Sequence, residues 1–375
     1  MLPPDPVQLA QELIRFDTVN PPGFERDCAA YLGRILESAG FETSYEDFDE
    51  GRTTLIARLA GSDAGLSPLA ITGHLDTVPF GHQPWTREPL AGEISDGRLY
   101  GRGASDMKSG VAVAVTSAVA AAKRRPKRGL LLVLTAGEET GCDGARYVAG
   151  VPDLLGEASG LLVAEPTSNY PAIGHRGALW VRAQSAGKTA HGSMPERGVN
   201  AIYRAAKAIS KLEDFGFNEK PDLLLGSPSI NVGTVQGGMN VNSVPDFAEF
   251  TVDIRSISEN AHDRTLEQIS SYLGEDVSLQ AFVDLKPVKS APDDSFVACA
   301  YRVVEKELGL TPEPRTLPFF TDASILAEAM ATSTVIIGPG ETSLAHQTDE
   351  YCVVDRIPEC EVIYRRLIEA WCNPS

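Results

Sequence analysis

Four short runs in this chain, "PLAIT" (68–72), "LLLVLTA" (130–136), "LLVAE" (161–165) and "STVIIG" (333–338), are apolar without alternation. A strand with one wet face alternates, because successive side chains point to opposite sides. Unbroken apolar runs of this length therefore read as strands buried on both faces, as in a largely parallel sheet covered by helices. Helical patterns lie around them: "VQLAQELIRF" (7–16), "ERDCAAYLGRILESAG" (25–40) with its glycine stop, and the alanine-rich 110–122. The expected fold class is α/β, with a largely parallel sheet in the main domain.

The middle of the chain has a different period. In "ALWVRAQSAG" (178–187), Leu179, Val181 and Ala183 alternate with Trp180, Arg182 and Gln184; in "AEFTVDIR" (248–255), Phe250, Val252 and Ile254 alternate with Thr251, Asp253 and Arg255. These are strands with one buried and one open face. With helical patterns at 199–213 and 260–274 and strands at 229–236 and 277–283, the order is β-α-β-β-α-β, the ferredoxin-like arrangement. A small domain over 176–287 is thus expected, inserted into a larger one made of 1–175 and 288–375.

A chain of 375 residues is long enough for two such domains. Its 51 acidic and 33 basic residues give a net charge of −18, which repels phosphate backbones and anionic membranes and argues against nucleic acid as a partner. Six scattered cysteines with no CxxC spacing fit a reducing cytoplasm better than a disulfide framework. The start "MLPPDPVQLAQELIRF" lacks a basic-then-apolar leader pattern. The small-apolar run at 111–122 falls short of the ~20 residues of a membrane span, so no membrane association is expected.

In open α/β sheets ligands collect beyond the carboxyl ends of the strands. There stand His74 and Asp76 in "ITGHLDTVPF", Glu138 and Glu139 in "TAGEETGCDGA", and Glu165 in "LLVAEPTS". Asp106 lies in the glycine-rich "YGRGASDMKSG", and His346 follows the 333–338 run in "ETSLAHQTDEY". A lone histidine or carboxylate in such a place is more often structural. Several at adjacent strand ends form the donor set of a metal site, and imidazole with carboxylate but no thiolate suits zinc, cobalt or manganese, singly or as a pair of ions. One of the paired glutamates would ligate a cation and the other would act as a base beside it. "GRGASDMKSG" does not match the phosphate-loop pattern, and no G-x-S-x-G elbow is present.

The stretches "GHLDTVP", "GRGASDMKSG", "TAGEETG", "AEPT", "AHGSMPERGVNA" and "HQTDEY", in that order along essentially the whole chain, resemble the dinuclear zinc family of acetylornithine deacetylase, succinyl-diaminopimelate desuccinylase, aminoacylase and glutamate carboxypeptidase. The resemblance implies two zinc ions, with cobalt or manganese as alternatives, and Asp106 as the bridging ligand. His74 and Glu165 would complete one site; Glu139 and His346 would complete the other. It makes Glu138 the general base and acid, places the Asp76 carboxylate against the second ring nitrogen of His74, and makes the Asp106-Met107 peptide cis. In the inserted lid or dimerisation domain it makes His191 an oxyanion donor reaching the active site of a partner subunit. Asn242 and Arg255 would grip the substrate amide and α-carboxylate, and Thr321 and Gly340 would line the substrate.

The expected activity is hydrolysis of the amide of an N-acyl amino acid by a homodimer, with a carboxypeptidase or dipeptidase acting on short peptides as the alternative. A metal-binding homologue without catalysis would lack the base or a ligand, and neither is missing here.

Overall fold

The structure, a computed structural model, describes residues 3–258 and 262–374. Backbone contacts divide the chain into two units. The first runs to Gly174 and resumes with Val288–Thr316 and from Thr321 on; the second is His175–Pro287 with Leu317–Phe320.

The sheet of the first unit has six strands in the order Glu42–Asp49, Arg52–Leu59, Leu130–Thr135, Leu69–His74, Gly160–Val163, Thr334–Ile336. The last four run parallel, and they are the four continuous apolar runs. Every residue in them is buried, as strands covered on both faces must be. The other two form an antiparallel hairpin added at one edge, so the sheet is mixed and mostly parallel. The outermost strand, Glu42–Asp49, contains no fully buried residue. Its acidic side chains blunt an edge that would otherwise invite pairing.

The Ser109–Ala122 helix is buried on all sides from Ser109 to Val119 and packs against Pro6–Ile14, Arg356–Cys372 and the Leu69–His74 strand. Its alanines and valines suit a helix enclosed all round. Gly110 marks the closest approach: a Cβ there would stand 2.0 Å from the Ala164 carbonyl oxygen. The helix therefore presses directly on the segment that carries Glu165.

The second unit has a four-stranded antiparallel sheet in the order Ser229–Gly237, Phe247–Ser256, Gly177–Ala186, Ser278–Leu285. Helices Ala201–Glu213 and His262–Leu273 complete the β-α-β-β-α-β order. The helical pattern at 260–274 is described from His262 onward; residues 260 and 261 lie outside the described residues. Leu179, Val181, Ala183, Phe250, Val252 and Ile254 build the core with Ala205, Leu212 and Ile269 from the helices. Each large apolar side chain so enclosed contributes about 1.5–3 kcal/mol. The opposite face carries Trp180, Arg182, Asp253 and Arg255. Ser229–Gly237 is an edge strand and largely exposed.

Candidate metal centre

Three neighbouring parallel strands end at one level, because their register aligns His74 with Thr135 and Thr72 with Val163. The chain then turns. After Leu130–Thr135, Gly137 takes the left-handed φ of +76° and the two glutamates follow; after Gly160–Val163 comes Glu165. The result is a layer of buried donors: His74, Glu138 and Glu165 are each at most 5% exposed. Asp106 joins them from an irregular turn, with φ −124° and ψ 94°, and the Asp106-Met107 peptide is cis.

His74 Nε2 lies 3.1 Å from Asp106 Oδ1 and 3.9 Å from Glu165 Oε1. His346 Nε2 lies 3.1 Å from Glu139 Oε2 and 3.5 Å from Asp106 Oδ2. The two oxygens of Asp106 thus face one histidine each. Ligand atoms of His74, Glu138 and Glu165, and likewise of His74, Asp106 and Glu139, fall within 4.8 Å of one another. These groupings differ from the ligand sets implied by the family resemblance in drawing in Glu138 and leaving out His346, which the ion-pair distances nevertheless place against Glu139 and Asp106.

Electrostatics states the same need in another form. Burial raises Glu138 well above the usual carboxylate range; His74 opposes this, and Glu165 and Glu139 add to it. Burial raises Glu165 well above its usual range, with Asp106 adding to it. Glu139 is raised by burial against the pull of His346. Burial disfavours charge on His74, yet the Asp106 hydrogen bond and the Glu165 and Glu138 carboxylates hold it well above the imidazole range. His346 is held up to about 10 by Asp106 and Glu139. Four carboxylates at one buried place need positive charge, and Glu139 Oε1 is buried with no hydrogen-bond partner. The donor set, oxygen and imidazole only, fits divalent zinc, cobalt or manganese.

Asp76 departs from its expected contact. His74 Nδ1 donates to the main-chain carbonyl of Asp76 at 2.9 Å, while the Asp76 carboxylate is 3.6 Å away. That carboxylate instead accepts the main-chain N–H groups of Glu138 (3.1 Å) and Glu139 (3.2 Å) and the Asn20 amide (2.8 Å). A turn two residues beyond His74 brings the carbonyl nearer than the side chain, which is free to anchor the paired glutamates. Asn20 and Asp322 were not singled out by sequence. Asp322, which accepts from the Thr135 hydroxyl, is raised to about 6 by burial.

Thr321, expected in a substrate loop, is fully buried, and its hydroxyl accepts from the Ala323 N–H at 3.1 Å. Gly340 is also buried, and a Cβ there would meet the Ser105 carbonyl oxygen at 2.1 Å. Gly340 thus lets its loop pack directly on the segment that carries Asp106.

The three remaining site residues belong to the second unit. His191 is exposed; its Nδ1 lies 2.7 Å from the Ser193 hydroxyl oxygen and accepts from the Ser193 main-chain N–H at 3.2 Å, which leaves Nε2 facing outward from this turn without a hydrogen bond of its own among the described residues. Asn242 is its neighbour, since the Gly192 N–H donates to the Asn242 carbonyl at 2.7 Å. Arg255 donates through Nε to Asp253 at 3.0 Å and stacks 5.3 Å from the Phe320 ring centre, and its Nη1 is buried without a partner.

Histidine and carboxylate donors gathered at the ends of the parallel strands fit a metal centre of the kind metallohydrolases use. The sequence description of Peptidase family M20/M25/M40 matches residues 70–370, and the chain belongs to this family of hydrolases. It is 33% identical over 356 residues to an acetylornithine deacetylase of Myxococcus xanthus, covering 92% of this chain and 91% of that one. It is 32% identical over 394 residues to a succinyl-diaminopimelate desuccinylase of Cereibacter sphaeroides, covering 98% and 99%. Its fold matches that of an M20 family metallo-carboxypeptidase from Sulfolobus solfataricus with a TM-score of 0.82 at 18% identity, covering 98% and 99%.

Proposed function

We propose that the chain hydrolyses the amide bond of N-acyl amino acids, with two divalent metal ions, zinc or alternatively cobalt or manganese, held by His74, Asp106, Glu139, Glu165 and His346. The buried, mutually repelling carboxylate cluster with its unpartnered Glu139 oxygen carries this reading. When bound, such ions supply the Lewis-acid charge that makes water a nucleophile at neutral pH and polarises a carbonyl.

The protein's own groups do the rest. Glu138 takes a proton from the attacking water and hands it to the departing amine, a task suited to a carboxyl that burial raises above the usual carboxylate range. The Asp76 carboxylate, through the N–H groups of Glu138 and Glu139, holds both glutamates in place. His191 offers its Nε2–H to the oxyanion that develops on the scissile carbonyl. Asn242 binds the amide. Arg255, with Nε already committed to Asp253, has its terminal nitrogens left for a carboxylate, whose planar geometry matches the fork.

The working form is a homodimer. The exposed edge strand Ser229–Gly237, with Val235 bare on it and Met239 and Val241 bare just after it, suits pairing with a second copy, and His191 then acts in trans. Six buried free cysteines suit a reducing cytoplasm. Among the described residues no helix is long and apolar enough to cross a membrane.

The second reading, a peptidase, is supported by the Sulfolobus metallo-carboxypeptidase, which shares the fold. Assay of the metal-loaded protein on N-acetyl, N-succinyl and N-formyl amino acids, their α-amides and dipeptides separates the two. An N-acyl amino acid is expected to give the highest kcat/KM, and amidating its carboxylate to cost about 10-fold or more. Arg255→Ala is expected to erase most of that difference. Cleavage of dipeptides alone would transfer the assignment to the peptidase reading, and an unchanged acid-to-amide ratio in Arg255→Ala would remove Arg255 from it.

A further inference from the structure

Resting on the reading of the cluster as a metal centre, we infer that the buried Arg102–Glu350 ion pair is its positioning element, fixing the segments that carry Asp106 and His346 and thereby setting the affinity for a divalent cation.

Neither residue reaches a ligand oxygen or nitrogen of the donor cluster; Glu350 meets Asp106 only at its main-chain N–H. Arg102 Nη1 and Glu350 Oε2 lie 2.6 Å apart, with both side chains at most 2% exposed. The turn bearing Asp106 is not a regular helix: Ala104 N–H donates to the Gly101 carbonyl at 3.0 Å, but the N–H groups of Gly103, Ser105 and Asp106 go to a side chain. Glu350 takes them instead: Oε2 accepts Gly103 N–H at 3.1 Å, and Oε1 accepts Ser105 N–H at 2.8 Å and Asp106 N–H at 3.0 Å. The residue that supplies both carboxylate oxygens to the cluster is therefore held at its own main-chain nitrogen.

Arg102 extends the hold to two further segments. It donates to the Gln347 carbonyl at 3.3 Å, directly after His346, and to the Pro79 carbonyl at 3.0 Å, in the loop that follows His74 and Asp76. Its guanidinium also lies 5.1 Å from the Trp85 ring centre. Carboxylates that repel one another spread apart unless the backbone restrains them, and this pair is the restraint. Groups behind metal ligands typically govern affinity by about 10–100-fold.

The test uses the full chain, stripped with a chelator and titrated with Zn²⁺ and Co²⁺ against a competing indicator, well below the melting temperature. Glu350→Gln, which keeps the shape but loses the charge and turns a donor toward N–H groups, is expected to raise the metal Kd about 10–100-fold. Arg102→Lys, which keeps one charge but cannot reach all three acceptors, is expected to give a smaller rise. Leu212→Ala, which loosens the core of the second unit, is expected to leave Kd unchanged. A folded Glu350→Gln or Arg102→Lys protein with a Kd within about 3-fold of the parent overturns the inference, as does an equal rise in Leu212→Ala. If neither pair variant folds, amide exchange on the metal-free parent decides: slow exchange at Gly103, Ser105 and Asp106 supports the inference, and exchange as fast as in an open loop overturns it. A parent that takes up no metal overturns both this and the metal-centre reading. A parent that binds metal but hydrolyses none of the substrate panel overturns the function while leaving the positioning role standing.

Discussion

The two units carry polar residues under opposite conditions. In the first, Glu138, Glu165 and His74 sit at the ends of parallel strands where water is excluded; burial raises the two glutamates well above the carboxylate range, and the carboxylates raise His74 against the pull of burial. In the second, His191 and Asn242 lie on exposed turns, and Arg255 stands half-buried on the open face of an antiparallel sheet. A buried charge cluster advertises what it lacks, because unbalanced carboxylates are costly without a cation. An exposed histidine is at ease in water, and its energetics say nothing about a substrate. The candidate metal site is thus written in the stress of the first unit, while the proposed substrate contacts leave little trace in the second.

The sharpest way to break this contrast is within the buried pair itself. Glu138→Gln is expected to lower kcat by roughly 10²–10⁴-fold with metal content intact, since it removes general acid–base catalysis alone. Glu139→Gln is expected to lose metal. Elemental analysis of the two purified variants checks the division, and equal metal loss would abolish it.

A smaller effect belongs to the exposed unit. His191→Ala is expected to lower kcat about 10²–10³-fold, the usual worth of one oxyanion donor, without changing metal content. If the residue acts across a dimer, mixing His191→Ala with Glu138→Gln subunits restores activity in sites that draw one intact group from each chain. Continued silence in demonstrated mixed dimers would confine His191 to its own chain or exclude it.

The smallest effect is on stability. His74 and His346 are held above the imidazole range, His346 to about 10, and Glu138, Glu139 and Glu165 above the carboxylate range. Between the unfolded values of these groups and their higher folded values, the native metal-free protein binds more protons than the unfolded chain. Its stability therefore falls as pH rises. Asp106, held low by the two histidines against the pull of burial, acts in the opposite sense only as pH drops below the usual carboxylate range. Metal-free protein is expected to lose a few degrees of Tm from about pH 6 to about pH 9, and the Tm gain on adding metal to grow over the same range. A metal-free Tm that climbs with pH would contradict the charge assignment.

Much of this was legible in the chain. Continuous apolar runs place the four parallel strands, because burial on both faces leaves no room for alternation. Strand-end histidines and carboxylates then mark the cluster, because the sheet gathers strand ends at one edge. The Glu42–Leu59 hairpin leaves no such mark, since its outer strand is acidic and lacks a fully buried side. Nothing in "HQTDEY" marks Glu350 as a structural residue, because its partners, the N–H groups of residues 103, 105 and 106, are more than 240 positions away and no side-chain pattern announces a main-chain contact.

Periodicity and residue type alone were enough to determine the α/β class, the inserted β-α-β-β-α-β order and the donor types of the metal centre, since each follows from what local chemistry allows a strand or helix to bury. Only the tertiary structure decided that the Asp76 carboxylate accepts the main-chain N–H groups of the paired glutamates, that Thr321 and Gly340 are buried, and that a buried Arg102–Glu350 pair grips the turn beneath Asp106. These depend on distances between segments far apart in the chain, which are fixed by how the helices and sheet pack and by nothing that neighbouring residues can encode.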